Sequence, residues 1–302
     1  MRRFLNSESA AVATLALLSV VWGYNWVVVK IALEYAGPFQ FLAFRMTLAA
    51  LVLFAIGRSL GLPLAMPYPK KTLLLGLVQT TLYGSLMTWA LVRGGAGKVA
   101  ILTFTMPFWI VILAWMFLGE RVRARQWPII FLALCGMILI LEPWQLKSDY
   151  FSNLLAVAGG FCWAVSVLQI KKIKLHSQRE LFALTAWQMI LGSIGLIALS
   201  LIFPSHPIRW EMPLILALCY SVIIAAALGW VMWLFVLQRL PANISSLGTL
   251  AIPVIGTLAA WIQLHDAPTR IELAGIFLIC VALAGLAVTA ESRKVEPEMN
   301  NF

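Results

Sequence analysis

Long apolar runs constrain this chain more than any motif does. Of its 302 residues, 62% are hydrophobic and only 11% are charged. A helix needs about 20 apolar residues to cross a bilayer. The runs predict an all-α integral membrane protein with ten transmembrane helices, over roughly residues 10–33, 38–57, 72–92, 97–118, 127–143, 151–170, 181–203, 212–237, 242–264 and 271–290. The short connections leave no room for a soluble catalytic or nucleotide-binding domain.

The basic residues are distributed unevenly between the two sides of such a bundle. With the N-terminus placed inside, 15 lysines and arginines fall on the inner side and 6 on the outer side, and Arg45 lies within a span. Positive charge favours the cytoplasmic side, so both termini are predicted to be cytoplasmic. The net charge of +10 therefore follows from topology and calls for no nucleic-acid partner.

Two of the predicted spans carry the same pattern of proline, tryptophan and acid. A constant separation of 146 residues links Pro107 to Pro253, Trp115 to Trp261 and Glu120 to Asp266. Earlier in the two halves the separation is smaller: it is 141 from Trp22 to Trp163 and from Lys30 to Lys171, and 143 from Arg45 to Gln188. A separation that grows steadily along the chain indicates a duplication with loop insertions.

The duplication predicts two repeats, 10–143 and 151–290, followed by a cytoplasmic tail at 291–302. Each repeat holds five spans. Because five is odd, the second repeat enters the membrane from the opposite side, so the two are inverted. Inverted repeats supply the inward-open and outward-open arrangements of an alternating-access transporter.

Pro107 and Pro253 fall inside predicted apolar helices. Proline removes a helical hydrogen bond and frees carbonyl groups, which a membrane tolerates only next to protein or a wet cavity. Interrupted helices at matching positions in two halves point to a transporter's binding site. We therefore expect both prolines to bend their helices beside a cavity and to act as pivots.

Polar and aromatic side chains pair at helical spacing within the spans. The binding residues predicted in this way are Trp22, Asn25, Gln79, Tyr83, Trp163, Ser166, Trp230 and Thr249. Aromatic faces can attract an ammonium group, and amides and hydroxyls can hold a polar end. The alternative for many of the 13 tryptophans is a lipid-facing or interfacial position.

The charged residues leave two alternatives open. Arg45 either snorkels to the interface or contacts an anionic group of the substrate. Lys30 and Lys171 either anchor helix ends or gate the cavity. No acidic residue lies deep in a predicted span; Glu120, Glu142, Asp266 and Glu272 lie at the ends of predicted helices. We therefore expect gradient-driven transport rather than a carboxylate-based proton antiport.

An enzyme would need a Ser–His set, an Asp pair or metal-binding histidines. His176, His206 and His265 lie in loops or at helix ends, and the four cysteines show no metal spacing. No catalytic activity, cofactor or metal is expected.

The run Trp22-Gly23-Tyr24-Asn25-Trp26-Val27-Val28-Val29-Lys30 resembles the first-helix signature of the EamA branch of the drug/metabolite transporter superfamily. Gly229-Trp230 through Leu240-Pro241-Ala242 to Pro253 resembles its eighth and ninth helices, and Leu118-Gly119-Glu120-Arg121 its turn after the fourth. The matching turn in the second half departs from the pattern, as His265-Asp266.

The resemblance implies a central cavity between helices one, three, four, six, eight and nine, lined by aromatic residues at the positions of Trp22, Tyr83, Trp163, Phe104 and Met106. It also implies a protein of a bacterial inner membrane that exports amino acids, aromatic or apolar ones included, or related metabolites. Ten spans make a complete bundle, so we expect a monomer. A multidrug or nucleotide-sugar transporter of the same superfamily is the alternative, and an intramembrane enzyme a distant one.

Overall fold

The computed structural model describes residues 8–93, 99, 102–119, 122, 124, 127–141, 150–173, 175, 177–203, 205–241, 244–245, 248–264 and 268–295. Within these residues the regular structure is helical and includes no strand. The helices are α1 (Glu8–Ala32), α2 (Pro38–Ser59), α3 (Pro69–Val92), α4 (Met106–Leu118), α5 (Trp127–Leu141), α6 (Tyr150–Lys172), α7 (Gln178–Ile202), α8 (Met212–Arg239), α9 (Ala251–Leu264) and α10 (Arg270–Val295).

Six of these helices are long and apolar enough to cross a membrane: α1, α2, α3, α6, α7 and α8. Shorter apolar helices form α4, α5 and α9. The prediction of an all-helical membrane protein is confirmed at this level. The total of ten spans and their inverted arrangement remain predictions.

Large apolar side chains cover the outside of the bundle. Leu201 is 77% exposed and Phe131 is 68% exposed. Trp115 and Trp261, the tryptophans matched at a separation of 146, are 61% and 46% exposed. A water-soluble protein does not expose so much apolar surface, whereas a membrane protein presents it to lipid. These two tryptophans therefore have the lipid-facing position that the sequence left as an alternative.

Local capping and proline explain where several helices begin. Pro38, Pro69 and Pro213 occupy the first turns of α2, α3 and α8, where a missing N–H costs nothing. Before α10, the Thr269 N–H donates to Glu272 Oε2 (2.7 Å) and the Glu272 N–H donates to Thr269 Oγ1 (3.1 Å). This reciprocal capping satisfies two otherwise orphaned donors.

The structure differs from the predicted spans around the two prolines. Phe104 and Thr105 form a turn, so Pro107 lies in the first turn of α4 rather than inside a helix running from 97 to 118. Pro253 likewise lies in the first turn of α9, which begins at Ala251 instead of 242. Both prolines are buried. Proline is best accommodated at a helix start, which is why the helices break ahead of it.

Two further predictions, for the C-terminal tail and for the turns after α4 and α9, can be compared with the structure only where residues are described. Helix α10 continues to Val295, so residues 291–295 of the predicted tail are helical. The Gly119-Glu120 turn and its counterpart His265-Asp266 lie outside the described residues, apart from Gly119, whose φ of 69° suits a glycine at a helix C-terminus.

The helices pack so that α1, α3, α6 and α8 meet at the centre of the bundle. Helix α1 contacts α8 and α9, and α6 contacts α3 and α4; α2 packs on α7, and α5 on α10. Gly160 of α6 allows the backbone at Thr103 to approach closely, because a Cβ atom there would lie 2.7 Å from the Thr103 carbonyl oxygen. Indole and aliphatic side chains fill the interior.

Candidate functional site

A cavity of about 70 Å³ opens between the central helices. Its walls come from both halves of the chain: α1, α2, α3 and α4 on one side and α6, α8 and α9 on the other. Seven of the ten predicted binding residues are among the side chains that line it, namely Trp22, Asn25, Tyr83, Phe104, Met106, Trp163 and Trp230. These residues come from positions as far apart in the sequence as Trp22 and Trp230.

Four tryptophans, which we call the indole cluster, pack against one another: Trp22, Trp163 and Trp230, which line the cavity, and Trp233, which does not. The ring centroids of Trp22 and Trp163 are 5.6 Å apart, with the planes at 85°. Trp230 lies 5.6 Å from Trp163, and Trp233 lies 5.8 Å from Trp163 and 5.9 Å from Trp22. Edge-to-face and tilted arrangements are those that aromatic rings prefer.

Trp22 and Asn25 stand one turn apart on α1 and are held by α8. The Trp22 Nε1–H donates to the Ala225 carbonyl (2.9 Å), and the Ser221 hydroxyl donates to Asn25 Oδ1 (3.3 Å). Both partners lie in Tyr220–Leu228, a π-helical segment of α8. A π-helical turn is rare and is often found at functional sites. Here it provides the polar groups that orient two cavity residues.

Trp163 occupies the matching place on α6 but lacks the matching bond. Its ring packs 4.8 Å from the Tyr83 ring, and the residue is only 3% exposed. Its Nε1 has no hydrogen-bond partner among the described residues. The two tryptophans that the predicted repeat matches therefore differ in hydrogen bonding although they line one cavity.

Three predicted binding residues do not line the cavity. Ser166 is fully buried and its hydroxyl donates to the Trp163 carbonyl of its own helix (2.7 Å). Thr249 is buried in the turn before α9, where its carbonyl accepts from the Ile252 N–H (2.9 Å). Gln79 is buried within Gly76–Leu82, the π-helical segment of α3, and its amide atoms have no partner among the described residues.

Most of the apolar wall was not predicted from the sequence. Trp26, Met46, Leu91 and Ile252 also line the cavity. No polar neighbour at helical spacing distinguishes these residues from ordinary core. Arg45 also lines the cavity, in agreement with one of its two alternatives.

Lys171 and Lys30 also differ in their hydrogen bonding, as Trp22 and Trp163 do. The Lys171 ammonium group donates to the carbonyls of Leu237 (2.6 Å) and Leu240 (2.7 Å), at the end of α8. A cation suits the carbonyls at a helix C-terminus. Lys30 is half-buried at the end of α1 and makes no hydrogen bond within the described part of the chain. Lys171 therefore joins α6 to the end of α8.

Neither metal nor catalytic chemistry is indicated at the cavity. Among the described residues, no group of three His, Cys, Asp or Glu side chains is arranged to hold a metal ion. The polar groups of the lining are Asn25, Arg45 and Tyr83, together with indole N–H groups. They can bind and orient a small molecule.

The apolar helical bundle and its central cavity define a multi-pass membrane protein of the small-molecule transporter class. The model of the EamA-like transporter family matches residues 9–142 and again residues 150–288. The chain therefore belongs to the EamA-like transporter family, which confirms the resemblance. The family and the relatives below are named as transporters and not as enzymes.

Several relatives match along nearly the whole chain. An uncharacterized transporter, YoaV, of Bacillus subtilis is 25% identical over 288 residues, covering 92% of this chain and 97% of the relative. A probable amino-acid metabolite efflux pump of Salmonella typhimurium is 28% identical over 281 residues, covering 88% and 91%. A probable terminal-alkyne amino-acid exporter of Streptantibioticus cattleyicolor is 24% identical over 286 residues, covering 88% and 90%.

A solved crystal structure shares the fold. It superposes with a TM-score of 0.77 over 94% of this chain and 100% of that chain, at 18% sequence identity. At this identity the likeness concerns the fold alone.

Proposed function

We propose that this protein is a secondary transporter that exports amino acids, apolar and aromatic ones included, or related small metabolites. The observation that carries the proposal is the central cavity lined by Trp22, Trp163 and Trp230 from both halves of the chain. Two relatives named as amino-acid metabolite or amino-acid exporters support the substrate class. The membrane is the bacterial inner membrane, both termini are cytoplasmic and the working unit is a monomer.

The chemistry of the cavity suits an amphipathic molecule. Indole faces accept an apolar side chain and attract an ammonium group, and Asn25 and Tyr83 supply polar contacts. At roughly 10–15 Å³ per water molecule, a volume of about 70 Å³ holds about five to seven water-sized groups. That matches the number of heavy atoms in a small amino acid, and a larger substrate requires the walls to move apart.

The mechanism we propose is alternating access between two inverted repeats, 10–143 and 151–290, each of five spans. Helix packing supports the repeat because the contacts interchange when the first and second halves are exchanged. In this exchange α1 is paired with α6, α2 with α7, α3 with α8, α4 with α9 and α5 with α10. The contacts α1–α9 and α1–α8 then become α6–α4 and α6–α3, and the contact α2–α8 becomes α7–α3, all of which are observed. The contacts α2–α7 and α5–α10 are unchanged by the exchange.

The π-helical segments give the proposal independent support. Helix α3 has Pro69 in its first turn and a π segment beginning at Gly76; α8 has Pro213 in its first turn and a π segment beginning at Tyr220. Each pair is 144 residues apart, within the range of separations found in the sequence. Because π segments are rare, two at corresponding positions favour a common origin of the halves.

We infer that the structure represents one of the two access states. Trp22 and Lys171 hold α8 through hydrogen bonds, whereas Nε1 of Trp163, the counterpart of Trp22 in the proposed repeat, has no partner among the described residues. The end of the bundle at Lys171 is the closed one in this state. With cytoplasmic termini that end is cytoplasmic, and in the opposite state the bonds of Trp163 and Lys30 form instead.

Counterflow into proteoliposomes tests the function directly. Vesicles preloaded with L-phenylalanine should accumulate labelled L-phenylalanine, and they should do so after the proton gradient is collapsed. Trp163→Ala should impair exchange, whereas Trp115→Ala, at a lipid-facing position of α4, should leave it intact. Exchange of cationic dyes but of no amino acid would favour the multidrug alternative and overturn the proposal.

A further inference from the structure

Arg45 places a guanidinium group in the wall of the cavity. The residue lies on α2, seven residues after Pro38, which is about 10 Å along the helix at 1.5 Å per residue. It is 6% exposed and it lines the cavity. Arginine is always protonated in proteins. A permanent positive charge therefore stands in a site whose other lining residues are neutral.

This guanidinium group lacks the partners that a buried arginine usually has. Its Nε has no hydrogen-bond partner, and no hydrogen bond or ion pair of Arg45 occurs among the residues that the structure describes. The ionisable groups that interact with it electrostatically are the phenols of Tyr83 and Tyr220. Neither phenol is an anion at neutral pH, so the charge is not balanced within the site.

The described acidic side chains do not supply the missing anion. They lie at helix ends or in connections, at Glu8, Glu34, Glu180, Glu211 and Glu272. A purely anchoring arginine would extend its head group to the membrane surface. Arg45 instead contributes to the same cavity as the indole cluster. An intramembrane charge with no partner among the described residues points to a ligand that carries the opposite charge.

We propose, on the basis of the proposed function, that Arg45 binds the carboxylate of the transported molecule while the indole cluster receives its apolar end. A guanidinium group and a carboxylate match as a bidentate pair, with two parallel hydrogen bonds. One positive charge is balanced by one negative charge. A phosphate monoester, close to doubly charged, would leave excess negative charge in an apolar cavity. The substrates are therefore amphipathic monocarboxylates, and the ammonium group is secondary.

Three probes with the same phenyl ring distinguish the contribution of the carboxylate from that of the ammonium group. L-Phenylalanine carries a carboxylate and an ammonium group, 3-phenylpropionate only the carboxylate, and L-phenylalaninamide only the ammonium group. Binding to the purified full-length protein and counterflow in proteoliposomes are both measured. We expect the two carboxylates to bind and the amide to bind at least about tenfold more weakly. Arg45→Gln should weaken carboxylate binding by about 10–100-fold, the range for a lost charged hydrogen-bond pair.

The controls address folding and charge. Arg58→Gln removes an exposed positive charge from the same helix and should leave binding unchanged. Arg45→Lys keeps the positive charge but loses the planar N–H donors that pair with a carboxylate, so it should bind carboxylates with intermediate affinity. This variant serves as the test if Arg45→Gln does not elute as a folded protein.

The outcomes separate this proposal from the proposed function. Binding of 3-phenylpropionate that depends on Arg45, without binding of phenylalanine, sustains the role of Arg45 and refutes the amino-acid assignment. Phenylalanine counterflow that is unaffected by Arg45→Gln, or equal wild-type affinity for phenylalanine and its amide, overturns the role of Arg45 and leaves the exporter in place. If neither L-phenylalanine nor 3-phenylpropionate binds, the role of Arg45 and the proposed function are both overturned.

Discussion

Replacing Gly160 by alanine should destabilise the protein, because α6 and α4 touch at that residue. The added Cβ would lie 2.7 Å from the Thr103 carbonyl oxygen and 2.9 Å from Thr105 Oγ1. A backbone oxygen cannot rotate away, so the helices must separate, at an overpacking cost near the upper end of about 1–3 kcal/mol. Alanine recovers about 1 kcal/mol of helix propensity. The net loss is about 2 kcal/mol of unfolding free energy.

The neighbouring Gly159 offers a matched control in the same helix. A Cβ there would have its nearest neighbour, Leu86 Cβ, at 3.7 Å, an ordinary van der Waals contact. Gly159→Ala should therefore gain about 1 kcal/mol from helix propensity alone. The two variants should differ by about 3 kcal/mol, or about 6 °C in thermal unfolding in detergent at about 2 °C per kcal/mol for a large chain. Equal melting temperatures would refute the close approach of α6 and α4.

Two further comparisons test the hydrogen bonds that distinguish the halves. Trp22→Phe should lose about 1–3 kcal/mol of stability beyond Trp163→Phe, since it leaves the Ala225 carbonyl without its indole donor; denaturation in detergent measures this, and a more costly Trp163→Phe contradicts it. Lys171→Met should accelerate amide hydrogen exchange in the chain that follows α8, whereas Lys30→Met should not. Equal acceleration by both lysine variants would show that the ammonium bonds of Lys171 do not hold that helix end.

The helical fold could be predicted from the sequence because each long helix carries its own apolar signal. The bounds of α2, α3 and α8 fall within a few residues of the predicted ones, where proline marks the start. The breaks before α4 and α9 were harder to predict from the sequence. Pro107 and Pro253 indicate an interruption, but whether the chain bends through proline or restarts at it depends on packing around the turn, as at Phe104 and Thr105.

Part of the cavity lining could also be predicted from the sequence. Trp22 and Trp163 stood out because the predicted repeat gives them matching positions, each with a polar neighbour. Gln79 and Ser166 satisfied the same spacing rule but do not line the cavity, since helical spacing gives a common side and not the direction of that side. The π-helical segments left no recognisable pattern in the sequence, and they change the helix phase by which Gln79 was assigned.

The indole cluster has a consequence for the membrane in which the protein works. A carrier that held a continuous file of water between the two compartments would conduct protons and dissipate the membrane potential. Trp233 is completely buried and packs against Trp22 and Trp163. On the proposed function, the rings that receive the substrate would also close the path behind it, so the size of tryptophan would matter as well as its aromatic face. A small residue at these positions would then be expected to let ions leak across the membrane even where solute exchange persisted.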